Sequence, residues 1–121
     1  MSFLSNQAMR LWTQYYGFAI CAEDFAGRLM YRDAYGNKAV QIWRNGKMIS
    51  CGWNIHHILP ASRGGSDDDA NLICTNISTN EEAGDRITYW IDDGLYQVQR
   101  IPGTDRYRIV RLNKPGRDSY V

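Results

Sequence analysis

The chain has 121 residues, enough for one domain with one modest core. Its 44% apolar and 22% charged content is that of a globular protein, and no apolar run approaches the ~20 residues a membrane span needs. The net charge of +1 is unevenly spread: residues 1–62 hold six basic and three acidic side chains, residues 63–93 two and eight, and residues 94–121 six and two.

In chain order, Leu4, Ala8, Leu11, Trp12 and Tyr15 fall at helical spacing, so Leu4–Tyr16 reads as a helix that Gly17 stops. This opening has one arginine and no long apolar stretch, so it reads as no signal peptide, and a cytoplasmic protein is expected. Arg28–Arg32, Val40–Arg44 and Lys47–Cys51 are short strands, with turns at Tyr35-Gly36-Asn37 and Asn45-Gly46. Trp53–Leu59 is a further strand, followed by a polar loop over Pro60–Ala70 and a short strand over Leu72–Thr75. Ser78–Ile91 reads as a helix: Ser78 and Glu81 form a capping-box pattern, Ala83, Ile87, Trp90 and Ile91 a buried stripe, and Gly94 a stop. Tyr96–Ile101 and Arg106–Leu112 make a C-terminal hairpin, with Arg100, Arg106, Arg108 and Arg111 along a basic edge.

The four tryptophans, Trp12, Trp43, Trp53 and Trp90, are assigned to the core, and Arg28 and Arg32 to the surface. Cys21, Cys51 and Cys74 form no C-x-x-C pair, which argues against a zinc ribbon and a disulfide framework and leaves buried or idle thiols. The run Asp67-Asp68-Asp69 reads as a solvated turn. An acidic middle between basic flanks suits a site that handles a cation and a polyanion together, or equally a set of solvated faces.

His56 and His57 are the only two histidines. A single strand histidine is usually a satisfied structural residue. Adjacent strand side chains, however, point to opposite sides, so one of this pair could approach a metal while its neighbour approaches a substrate. Asn71 follows His57 by fourteen residues, and Asn80 comes nine residues later.

Together His56-His57-Ile58-Leu59-Pro60, Gly64-Gly65-Ser66-Asp67, Asn71-Leu72 and Asn80 resemble the HNH endonucleases, whose core is the ββα-metal motif. The resemblance runs from about Asp24 to Asp93, looks most like small stand-alone bacterial and phage members, and shares its His-Asn-Asn spacing with the HNH domain of RNA-guided nucleases. It implies an α+β fold: a single HNH domain over residues 1–121, its ββα-metal core at about 53–92, with an N-terminal helix, extra short strands and a C-terminal hairpin.

By the same resemblance, His56 and Asn80 hold one divalent metal, His57 is the general base that activates water, and Asn71 holds the loop and helps orient that base. The expected reaction is hydrolysis of DNA phosphodiesters, with RNA left open as a substrate. Arg63, Arg86, Arg100, Arg106, Arg108 and Arg111 are the expected phosphate contacts. Two positions depart from the family pattern: His56 stands where many relatives have Asp, and Ala83 where many have Lys. The first favours Mn²⁺ or Ni²⁺ over Mg²⁺, with Zn²⁺ also able to bind. The second keeps open a weak or inactive HNH-fold protein that occupies DNA or a protein partner, and a toxin domain held by an immunity protein is a third reading. No membrane partner is expected.

Overall fold

In the computed structural model, which describes residues 5–114, helices and short strands alternate in an α+β fold. Helix α1, Ser5–Tyr16, buries Ala8, Leu11 and Trp12 on one stripe, and Gly17 ends it by donating its N–H to the Thr13 carbonyl at 2.8 Å. The expected first residue, Leu4, lies outside the described residues. Strands β1, Cys21–Glu23, and β2, Leu29–Tyr31, pair antiparallel. The second was expected; its partner was not, because three residues are too few to show an alternation.

Strands β3, Gln41–Arg44, and β4, Lys47–Ser50, form a hairpin whose turn residues Asn45 and Gly46 take φ of 52° and 83°. This is the backbone a two-residue turn needs to match the twist of its strands. Strands β5, Trp53–His57, and β6, Leu72–Asn76, are antiparallel, with His56 opposite Ile73 and His57 opposite Leu72. Helix α2, Ile77–Ala83, follows β6 directly. Strands β7, Thr88–Ile91, β8, Gly94–Arg100, and β9, Tyr107–Arg111, form a three-stranded meander.

One expectation fails clearly. The helix expected over Ser78–Ile91 stops at Ala83, where Gly84 leaves helical geometry at φ 57° and ψ −137°. Thr88–Ile91 becomes β7, with Tyr89 and Ile91 buried and Trp90 on the open face. A four-residue segment with two buried positions fits both a 3.6-residue and a 2-residue period, and pairing along β8 decides for the strand. The cap differs too: the side chain of Asn76, rather than Ser78, accepts the Ser78 N–H at 2.9 Å.

Two clusters make the core. Ala8, Leu11, Trp12, Met30, Trp53, Ile55, Leu72 and Cys74 lie between α1 and one face of the β5–β6 hairpin. Ile58, Ala83, Tyr89, Ile91, Tyr96 and Val98 fill the space under the C-terminal sheet. Trp12 and Trp53 are core residues as expected, whereas Trp43 and Trp90 are 69% and 59% exposed. Each of those two stands on a sheet face that no further layer covers. Cys51 and Cys74 are buried, and burial pushes the Cys74 thiol up to about 12, but Cys21 is exposed. No helix among the described residues is long and apolar enough to cross a membrane.

Candidate functional site

The pleat of β5 sets the geometry. Trp53 and Ile55 face α1, so Asn54 and His56 face the other way, toward α2. Asn80, at the fourth position of α2, meets them there. Its amide nitrogen donates to Asn54 Oδ1 at 2.8 Å and to the Ile55 carbonyl at 3.4 Å, which turns its oxygen to His56. His56 Nδ1 and Asn80 Oδ1 are 2.6 Å apart. With the amide turned this way Nδ1 carries the proton, so His56 is the donor.

His56 is buried, and its ring stacks against Phe25 with centroids 6.4 Å apart. Burial lowers its pKa below the ordinary histidine value, and the neighbouring His57 lowers it further, against the opposing pull of Asn80 and Asp24. The imidazole is therefore held neutral, the form in which a nitrogen can ligate a metal.

His57 is more open. Its Nε2 lies 2.7 Å from Asp67 Oδ1, so the aspartate run is more than a solvated turn: its first member orients the histidine and its third pairs with Arg10 on α1. His56, His57, Asn80, Pro60, Ser62 and Asp85 border a shallow cleft of about 180 Å³. Larger depressions lie elsewhere, one of about 610 Å³ beside the β3–β4 hairpin and one of about 690 Å³ between the Gly64-Gly65 loop and Arg106.

Asn71 does not enter the cleft. Its buried side chain accepts from the Leu59 N–H at 2.9 Å and donates to the carbonyls of Leu59 and Ser66 at 3.1 and 2.9 Å. It clips the 60–70 loop to the end of β5, behind His57. The two glycines serve the same loop: Gly64 takes φ 95°, and a Cβ on Gly65 would overlap the Leu59 carbonyl.

The six arginines do not form one surface. Arg63 Nε donates to the Asp85 carbonyl at 2.7 Å, beside the cleft, and Arg86 donates to the Glu82 carbonyl. Arg100 is tied to the Thr104 carbonyl. Arg106 lines the 690 Å³ depression with Arg63, and Arg108 is exposed opposite Gln99. Arg111 pairs with Asp93 and lies 5.9 Å from the Tyr96 ring, so it belongs to the protein's own packing.

The residues that position the site without a motif are Asp24 and Asn76. Buried Asp24 accepts the N–H groups of Ala26 and Arg28, both at 3.0 Å, and of Asn76 at 2.9 Å. Asn76 Nδ2 donates to the carbonyls of Leu29 and Ser50 at 2.8 and 3.0 Å, while its oxygen caps α2. Asn at a strand–helix junction, two residues before Ser78, is the sequence signal that could have found the cap.

A neutral imidazole and an amide oxygen are donors a divalent cation accepts, but a cation could take both Nδ1 and Asn80 Oδ1 only once the 2.6 Å hydrogen bond between them opens and the proton leaves Nδ1. Among the described residues no three His, Cys, Asp or Glu side chains gather as a metal-holding group. No family model matches the sequence, and neither a curated protein nor a solved structure matches it.

Proposed function

We propose that this chain is a metal-dependent endonuclease of the HNH class that hydrolyses DNA phosphodiesters, with β5, β6 and α2 as its ββα-metal core. The observation that carries the reading is the convergence of His56, His57 and Asn80 on one cleft from a hairpin followed directly by a helix. In this reading His56 and Asn80 Oδ1 hold the cation. A cation held there would supply positive charge to the phosphodiester as it is hydrolysed.

His57 takes the proton of the attacking water as the water oxygen bonds to phosphorus and the bond to the 3′ oxygen breaks. Asp67 fixes the ring of His57 through the 2.7 Å contact. Asn71 acts at one remove: it holds the loop that carries Asp67, so the base is presented in one orientation. Ala83 is fully buried, so a lysine there would have to bury its charge or leave the helix. Arg63, anchored beside Asp85, is the cation placed to take over phosphate support at that end of the cleft.

A second reading, a protein that occupies DNA without cutting it, is favoured by one observation. His56 and Asn80 already satisfy each other, so a stable fold needs no metal there. Supercoiled plasmid incubated with Mg²⁺, Mn²⁺, Ni²⁺ and Zn²⁺ separates the two. The nuclease reading expects relaxed or linear product with at least one metal, and a raised metal requirement for Asn80→Ala. Intact plasmid with every metal, alongside retained DNA binding, leaves the second reading standing instead.

A further inference from the structure

The depression of about 690 Å³ between the Gly64-Gly65 loop and the β8–β9 turn is not used by the proposed chemistry, and its volume is that of a small-ligand site. Arg63 and Asp68 line it from the loop, and Asp105, Arg106 and Tyr107 from the turn and the start of β9. None of the four charged side chains forms an ion pair among the described residues. Arg63 gives its Nε to the Asp85 carbonyl at 2.7 Å. Two cations and two anions thus line one hollow without pairing.

We infer that this depression is a subsite for one unpaired nucleotide of the substrate strand, next to the scissile phosphate. It rests on the nuclease reading for the neighbouring reaction, and adds the substrate class: DNA that presents an unpaired base there. The mixed charge chooses the occupant. A metal ion or a basic segment answers only the aspartates, and inorganic phosphate answers only the arginines. A nucleotide answers both. Its phosphate takes Arg63 and Arg106, and an exocyclic amino group of its base donates to Asp68 or Asp105. Tyr107, half-buried against the second core cluster, supplies ring surface for the base. A base inside a duplex shows only its groove edges, so a pocket takes it only unpaired or turned out of the stack.

The placement agrees. Pro60, Ala61 and Ser62 border the cleft of His56 and His57, and the residues that follow, Arg63 to Ser66, line the depression. One loop therefore walls both hollows. Asp85, whose carbonyl Arg63 holds, borders the cleft as well. The wall is fixed from within: Gly64 and Gly65 donate their N–H groups to the Ala61 and Pro60 carbonyls at 3.1 and 3.0 Å. A nucleotide seated in the depression is thus held at a set position relative to the cleft.

Amide NMR of the whole isotope-labelled protein in EDTA reads this subsite apart from cutting, with deoxycytidine 5′-monophosphate and thymidine 5′-monophosphate as probes. The amides of Gly64, Ser66 and Tyr107 are expected to shift. The cytosine nucleotide is expected to bind about fivefold more tightly, because thymine has no exocyclic amino group. Asp68→Asn/Asp105→Asn is expected to erase that preference, and Arg106→Gln to weaken both nucleotides alike. No shift at these amides up to about 10 mM nucleotide, or a preference unchanged in the double variant, would overturn the proposal. So would unchanged affinity in Arg106→Gln, or equally tight binding of inorganic phosphate, since the base would then add nothing. Absence of plasmid cleavage with any metal, by contrast, removes the nuclease reading and leaves this binding result as it stands.

Discussion

His56 is the residue on which chemistry and stability meet. Its pKa is lowered in the fold, chiefly by burial, so on acidification the unfolded chain takes up a proton near pH 6.5 before the folded chain does. In that window the unfolded state binds more protons, and stability falls as pH falls. The metal-free protein is therefore expected to lose urea resistance between about pH 7 and pH 5, and His56→Gln to lose less across the same window. Urea titrations in EDTA check this; equal losses in both proteins would remove His56 as the cause. Under the nuclease reading the same side chain would set the choice of metal. A site held by His56 and Asn80 would favour Mn²⁺ or Ni²⁺, while His56→Asp returns charge and hard oxygen and is expected to shift the preference toward Mg²⁺. A metal titration of cleavage in both proteins shows it. The His-His pair, Asn71 and Asn80 were legible in the sequence as a spaced set, but the Asp67–His57 and Asp24–Asn76 contacts were not. Nothing in a run of aspartates or a lone Asn tells which distant group folding will bring within 3 Å.

Among the elements, the β5–β6–α2 junction depends on one side chain. Asn76 caps α2 and anchors two carbonyls from β2 and the end of β4, so Asn76→Ala loses a cap and orphans partly buried acceptors together. We expect it to cost about 2–4 kcal/mol by chemical denaturation. A loss below 1 kcal/mol would mean that water replaces the amide. Strands β3 through β6 were readable because Asn-Gly and the alternation around His56 are local signals. The segment after Ala83 was not readable. Its stop depends on Gly84 leaving the helix and on β8 lying ready to pair with Thr88–Ile91, and that pairing is a tertiary fact.

Across the whole molecule, the acidic middle and basic flanks of the sequence turn out to be partners. Asp69 pairs with Arg10, Glu82 and Asp92 with Arg28, Glu81 with Lys38, and Asp93 with Arg111. Each exposed pair is worth little alone, about 0–1 kcal/mol, but together they consume most of the negative field. Arg106 and Arg108 are among the cations left without a salt bridge among the described residues, and under the nuclease reading they would be candidates for phosphate. Arg106→Gln/Arg108→Gln is accordingly expected to flatten the salt dependence of DNA binding equally on unrelated duplexes, whereas Arg111→Gln acts on stability. An unchanged slope in the double variant would assign that edge to the surface alone. The central claim of the nuclease reading is that His57 activates water. Single-turnover cleavage of supercoiled plasmid, at saturating metal and protein, is its direct measurement. His57→Ala is expected to cleave about 10²–10⁴-fold more slowly than the natural protein while binding DNA equally well. Equal rates in the two proteins would contradict the account.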